Sequence, residues 1–190
     1  MAEAPRDQAA LRRARWKLLG LGAFFLLPFV AGTLVWWLDL APGAAGNYGT
    51  LLAPRPVKLP QNGTLRGKWL LVQFDGGACS ERCERKLYFM RQVRKAMGRE
   101  VGRVERLWII TDEAKPRPEL LQAIEGTVTA PLSSLPDAVR FVADRDGGDR
   151  GDHLYVVDPL GNLMMRFPRD PDPAKVIKDL QRLLRVSRFG

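Results

Sequence analysis

The sequence has very few side chains that bind a soft metal or exchange electrons: two cysteines, Cys79 and Cys83, and one histidine, His153. It contains no internal repeat or low-complexity tract, which excludes a repeat protein as a competing interpretation. Aspartates cluster over 144–152, but arginines interrupt them and EF-hand spacing is absent, so we expect a solvated loop rather than a calcium site. Redox or metal chemistry must therefore involve the cysteine pair.

An uncharged apolar run covers residues 18–38, which matches the roughly 20 residues that a helix needs to cross a bilayer. Trp16 precedes this run and Trp36 and Trp37 end it, as is typical of aromatic residues at the membrane interface. We predict a transmembrane helix here. A cleaved signal peptide is the alternative, because residues 41–45 are small, but the run exceeds the usual length of a signal h-region.

Basic residues predict the orientation of this helix. Residues 1–17 are rich in arginine, whereas the first basic residue on the far side is Arg55. By the positive-inside rule, the N-terminal segment 1–17 is cytoplasmic and residues 40–190 lie in the periplasm or the equivalent intermembrane space. A net charge of +9 often indicates nucleic-acid binding, but an exported domain rarely meets nucleic acid. We expect no nucleic-acid partner, and a basic face near anionic lipid instead.

The rest of the chain is predicted to form two parts. Residues 39–60 form a linker that leads into an extended segment, and residues 61–190 form one domain. Apolar periodicity and turn residues predict strands and helices in the order β-α-β-α-β-β-α. The predicted strands are 69–74, 107–111, 154–157 and 162–167, and the predicted helices are 79–97, 119–125, 136–142 and 174–186. With a cysteine pair at the start of the first helix, this α/β order is typical of a thioredoxin-like domain.

The cysteines follow a strand and the glycine turn Gly76-Gly77, so both sulfurs are predicted on one face of a helix's first turns. The helix N-terminus and the nearby cations Arg82, Arg85 and Lys86 favour thiolates. A structural disulfide is the alternative, but it would close a small loop and stabilise the fold little. Reactive thiols are therefore the favoured interpretation.

The spacing of the cysteines also favours a metal site. Three residues separate Cys79 from Cys83, whereas typical redox motifs have two. Thiolates select Cu(I), and a histidine would complete a trigonal site. His153 begins a predicted strand that abuts the cysteine helix in a thioredoxin-like fold. We therefore take Cys79, Cys83 and His153 as candidate copper ligands, with a surface or capping role as the alternative for the histidine.

The sequence resembles the Sco/SenC/PrrC family of membrane-tethered thioredoxin-like proteins, which are associated with assembly of the copper site of cytochrome c oxidase. The resemblance covers roughly residues 60–185. It rests on the membrane tether, the Cys79-x-x-x-Cys83 motif after a glycine-rich turn, the acidic turn that ends segment 107–113, and segment 152–161. It implies the two cysteines as thiolate ligands of copper.

Two features depart from the family pattern. Arg150 occupies the place where the family usually has its histidine, and His153 lies three residues later. A shift of three residues at a strand can turn a side chain to the other face, because side chains alternate. The cysteine loop, Ser80-Glu81-Arg82, also lacks the usual proline.

Three functions remain open at this point. The first is assembly of the copper site of a respiratory cytochrome oxidase, by delivering Cu(I) to a subunit or by keeping its cysteines reduced, with that subunit or its copper chaperones as partners. The second is a membrane-anchored thiol-disulfide oxidoreductase in which Cys79 attacks and Cys83 resolves the mixed disulfide. The third is a non-catalytic interaction module with an oxidised cysteine pair.

Overall fold

The computed structural model describes residues 6–38, 46–57, 59, 63–135 and 150–187. The chain divides into two units, Met1–Gly46 and Asn47–Gly190. The predicted helix 136–142 and most of the predicted loop of aspartates lie outside the described residues.

The first unit contains helix α1, Arg6–Trp37. Within its segment Leu11–Val35, an 18-residue window has a mean hydropathy of 2.2 and none of that window is buried, so the helix is long and apolar enough to cross a membrane. The predicted apolar N-terminal helix is thereby confirmed, and it fits a membrane anchor. The helix begins earlier than the predicted span because the arginine-rich segment before residue 18 is helical as well.

The described part of the second unit is a mixed β-sheet with three helices. The strands lie side by side in the order β1-β6-β5-β2-β3-β4. Their bounds are β1 Thr50–Pro56, β2 Trp69–Asp75, β3 Val104–Ile110, β4 Thr127–Pro131, β5 Leu154–Val157 and β6 Asn162–Phe167, and the helices are α2 Glu81–Lys95, α3 Pro118–Ala123 and α4 Pro173–Val186. Strands β2, β3 and β4 are parallel, whereas β5, β6 and β1 pair antiparallel. This arrangement confirms the predicted thioredoxin-like α/β domain.

Side-chain alternation along the central strands divides the core between the two sheet faces. Leu71 of β2 and Val156 of β5 belong to a cluster that also contains both cysteines, and we call it the cysteine-side cluster. Val72 and Tyr155, one position away on the same strands, belong to a second cluster, which we call the opposite-face cluster. A side chain's position on these strands therefore decides whether it lies on the cysteine side of the sheet.

Local signals define the two long helices of the domain. Ser80 caps α2, acidic residues occupy its first turn and basic residues its last, which complements the helix dipole. Gly98, with φ of 58°, follows the end of that helix, in the left-handed conformation that glycine adopts easily. Asp172 caps α4 by accepting hydrogen bonds from the amides of Ala174 and Lys175. Most of the predicted helix bounds differ from those in the structure by one or two residues. The apolar pattern gives the approximate extent of a helix, whereas capping residues such as Ser80 and Asp172 define its first residue.

The structure contains two strands that the sequence did not predict, and both lie at sheet edges. Strand β1 falls inside the segment that we predicted as a linker, residues 39–60, and the compact unit begins at Asn47 rather than at residue 61. Strand β4 follows α3 directly. Neither strand shows alternating burial, because an edge strand is covered on few sides. Pro54 and Pro56 are tolerated in β1 because an edge strand pairs on one side only.

Candidate functional site

The site begins at the turn that carries the chain from β2 to the cysteines. Gly77 donates its amide proton to Asp112 Oδ1 over 2.8 Å, and the amide of Ala114 donates to the same oxygen over 3.1 Å. A Cβ added at Gly77 would overlap the carbonyl oxygen of Ala114. Glycine is therefore required here by the close approach of the segment after β3, and this contact fixes the path of the chain into Cys79.

Cys79 precedes the helix rather than lying in it. Its φ is 48°, in the left-handed region that a non-glycine residue enters at a cost of about 1–2 kcal/mol. Ser80 is the N-cap, α2 begins at Glu81, and the Ser80 hydroxyl accepts from the amide of Cys83. Our prediction that both cysteines lie on one helix face is thus wrong, because the helix starts two residues later.

The left-handed turn nevertheless brings the two cysteines together. Cys79 and Cys83 form a disulfide, and their Cα atoms are 5.2 Å apart. Both residues are buried, Cys79 with 4% of its surface exposed and Cys83 with 0%. The two predicted site cysteines are therefore linked covalently, and Cys79 is marginally the more exposed of the two.

The three cations predicted to favour thiolates are all paired with carboxylates. Arg82 contacts Asp152 over 2.8 Å, Arg85 contacts Glu81 over 3.2 Å and Lys86 contacts Asp75 over 3.3 Å. Each carboxylate offsets part of the positive potential at the sulfurs. The contribution of these side chains to thiolate stability is consequently smaller than the sequence suggested, and the helix N-terminus contributes relatively more.

A polar cluster of buried Gln73, buried Lys86 and partly buried Asp75 lies beneath the cysteine helix. Gln73 is fully buried, and its Nε2 is 3.4 Å from both Asp75 Oδ2 and the carbonyl oxygen of Cys83. Lys86 is 8% exposed and also donates to the carbonyl of Gly151. These contacts were not predicted from the sequence, although a glutamine within an apolar strand was a detectable signal.

His153 is turned away from the cysteines. Its Nδ1 is 2.9 Å from the carbonyl oxygen of Phe167, which requires Nδ1 to carry the proton. Its ring lies 6.2 Å from that of Tyr155, a member of the opposite-face cluster, whereas Leu154 belongs to the cysteine-side cluster. Strand alternation thus puts His153 on the sheet face that does not hold the cysteines.

The predicted copper ligands are accordingly not brought together. No group of three or more His, Cys, Asp or Glu side chains that could hold a metal occurs among the residues for which the structure gives positions. Asp152, rather than His153, is the residue of this segment that contacts the cysteine loop, through Arg82. The described residues thus give no support for a trigonal site of two thiolates and this imidazole, and this set of ligands stays a prediction.

Comparison with known sequences identifies the family of the domain that follows α1. Residues 69–187 match the family described as transmembrane-like, thioredoxin-like, C-terminal domain. The chain belongs to this family. No curated protein sequence matches it significantly.

Solved structures similar to this transmembrane-like thioredoxin-like chain include two Sco proteins and an exchange protein. Arabidopsis thaliana ScoI with copper bound has a TM-score of 0.51 at 14% identity, covering 74% of this chain and 99% of that one. Yeast Sco1 with copper bound has a TM-score of 0.49 at 17% identity, and the match covers 74% of this chain and 94% of that one. A thiol:disulfide interchange protein from Bacteroides sp. has a TM-score of 0.43 at 15% identity, and the match covers 74% of this chain and 91% of that one. At these identities the likeness concerns the fold, and at that level the predicted resemblance to Sco proteins is confirmed.

In this member of the transmembrane-like thioredoxin-like family, the site has the components for two-electron chemistry. The disulfide is positioned by a helix N-terminus, by Ser80 and by the glycine turn, all of which hold the backbone around the sulfurs. Thiol-disulfide exchange needs two adjacent sulfurs and no further ligand.

Proposed function

We propose that this protein is a membrane-tethered thiol-disulfide exchange protein, anchored by α1 and acting outside the cytoplasm through Cys79 and Cys83. The observation that carries the proposal is the disulfide at the start of α2, with the one histidine on the other sheet face. Such a bridge closes a very short loop, so its stabilising value is small compared with its suitability for exchange.

In the reduced protein, the Cys79 thiolate attacks a partner disulfide, which breaks the partner's S–S bond, forms a mixed disulfide and releases one partner thiolate. The Cys83 thiolate then attacks Cys79 Sγ, forms the Cys79–Cys83 bond and releases the second partner thiolate. Two electrons pass to the partner, whose thiolates take two protons from solvent. A second dithiol protein outside the cytoplasm reduces the pair again by the same steps.

Assembly of an oxidase copper site is the more specific form of this proposal. Keeping the cysteines of a respiratory oxidase subunit reduced requires only the exchange described above, and no histidine. Arabidopsis thaliana ScoI with copper bound is similar in fold, which supports this choice of partner class. Direct copper delivery receives less support, because the two thiolates lack the third ligand predicted at His153. The proposed location is the periplasmic face of an inner membrane, or its intermembrane-space equivalent.

The test uses the full chain in detergent micelles. The reduced protein is mixed with a peptide that carries one disulfide, and thiol release is followed with Cys79→Ser, Cys83→Ser and His153→Ala in parallel. We expect exchange by the wild type and by His153→Ala, a trapped mixed disulfide with Cys83→Ser and no exchange with Cys79→Ser. A competitive Cu(I) titration runs beside it. Tight binding of one copper that His153→Ala weakens, together with absent exchange, would overturn the proposal in favour of copper delivery.

A further inference from the structure

Helix α4 presents a purely basic stripe to solvent. Lys175, Lys178, Arg182 and Arg185 are all exposed and follow one another at spacings of three, four and three residues. Residues at these spacings lie on one side of a helix. The other side carries Val176, Leu180 and Leu184, which are buried in the cysteine-side cluster. We call the four cations the α4 basic stripe.

The stripe is not neutralised by the helix's own carboxylate. Asp179 is 3% exposed and points inward, where it accepts from the amides of Tyr48 over 2.7 Å and Gly49 over 2.8 Å. Lys175 lies 3.8 Å from Asp172 and 5.2 Å above the Tyr48 ring. Lys178 and Arg185 form no ion pair with any residue that the structure describes. The stripe therefore retains a net positive charge.

The same contacts attach the incoming chain to α4. Besides the two amides held by Asp179, the Tyr48 hydroxyl accepts from the amide of Asp172 over 3.1 Å. Tyr48 follows Leu38 by ten positions, so the connection spans at most about 36 Å even when fully extended. A connection of this length is compatible with approach of the α4 basic stripe to a membrane that holds α1.

We propose that the α4 basic stripe binds anionic lipid headgroups of the membrane that holds α1. The inference rests on the proposed membrane anchor and is independent of the chemistry of the cysteines. Charge complementarity favours lipid over an acidic protein, because the tether keeps phosphate groups constantly available to the stripe. Attraction between them acts only within a Debye length of about 8 Å, so the stripe must approach the headgroups closely. Contact along α4 would give the exported domain a preferred orientation over the bilayer.

The experiment measures lysine acetylation in the full chain, reconstituted into nanodiscs of phosphatidylcholine alone or with phosphatidylglycerol. A surface potential of about −30 mV concentrates protons roughly threefold and lowers the reactive neutral amine by the same factor. We expect acetylation of Lys175 and Lys178 to slow by at least about threefold in anionic discs, and to recover in high salt. Lys115, an exposed lysine in the segment after β3, is the internal control and should keep its rate.

Charge reversal supplies a matched pair of variants. Lys178→Glu with Arg185→Glu should abolish the protection of Lys175, whereas Lys95→Glu with Arg99→Glu, a double reversal near the end of α2, should leave it intact. Equal acetylation rates in the two kinds of disc, or equal slowing of Lys115, would overturn the inference. A chain that fails to co-elute with discs would overturn the anchor as well, so the two failures are distinguishable.

Discussion

Asp152 accepts a hydrogen bond from Arg82 over 2.8 Å and lies 3.1 Å from Arg169. It connects the loop between the two cysteines to the segment ahead of β5 and to the end of β6. Its carboxylate therefore offsets the cation that is nearest to the disulfide in sequence.

Replacing this carboxylate should make the pair easier to reduce. In Asp152→Asn the charge of Arg82 is no longer offset, which favours thiolates, and we expect the reduction potential to rise by about 10–20 mV. Equilibration in glutathione buffers followed by alkylation and mass spectrometry measures this potential. The control is Glu100→Gln, which breaks another ion pair, with Arg103. An unchanged or lower potential in Asp152→Asn would contradict the expected effect.

Reduction should leave the domain folded. For so short a loop, the chain-entropy estimate gives about 2 kcal/mol, and the relaxation of Cys79 from its left-handed conformation offsets part of that. We expect the free energy of unfolding of the thioredoxin-like domain to fall by no more than about 2 kcal/mol. Urea unfolding of the chain with and without reductant measures the difference. Complete unfolding on reduction would identify the bridge as a structural staple.

The glycine turn should be sensitive to a single methyl group. Gly77→Ala would push a Cβ into the backbone of Ala114, so we expect it to cost about 2–3 kcal/mol and to displace the cysteines. Gly102→Ala is the matched control, because a Cβ there meets no atom within 4 Å, and its effect should be within about 0.5 kcal/mol. Thermal unfolding and the exchange rate are measured together. Equal stability of the two variants would refute the close-contact argument.

The Lys86–Asp75 pair should show strong coupling. Lys86→Met removes the partner of Asp75, whose side chain is 24% exposed, and we expect a cost of about 2 kcal/mol. Adding Asp75→Asn removes the unpaired charge and should restore part of the lost stability. A double-mutant cycle in urea measures the coupling energy. Strictly additive effects of the two substitutions would show that the pair does not act as a unit.

His153→Ala should leave exchange unaffected. The imidazole lies on the sheet face away from the cysteines, so the exchange rate should remain within about twofold of wild type. Loss of the hydrogen bond to Phe167 should still lower stability by about 1 kcal/mol. Stopped-flow thiol release and urea unfolding separate the two effects. A large loss of exchange at unchanged stability would place the histidine in the chemistry after all.

The central strands were predictable and the edge strands were not. Strand β2 is buried along nearly its whole length, so its apolar run was visible in the sequence. Strand β1 exposes six of its seven residues and contains two prolines, so nothing in its pattern separates it from a linker. Its pairing with β6 depends on contacts that are distant in sequence.

The cysteine pair was predictable from spacing and context, but the face of His153 was not. All four residues of β5, Leu154–Val157, are apolar and buried. A strand buried on both faces shows no alternation of apolar and polar residues, so the sequence does not reveal which face each side chain occupies. The structure decides it through the separate clusters of Leu154 and Tyr155.

The attachment of Tyr48 and Gly49 to Asp179 ties the start of the domain to α4, so an anchored α1 would limit how far the domain can move from the membrane. A domain tethered in this way would move within a thin layer of solvent next to the bilayer rather than through the whole compartment. A partner held in the same membrane would therefore meet the disulfide more often than a partner that is free in solution. An encounter of this kind needs little intrinsic affinity. Partner choice would then depend on how far above the bilayer the target cysteines lie. Inserting extra residues into segment 39–45 would widen the range of distances from the bilayer at which the disulfide can react.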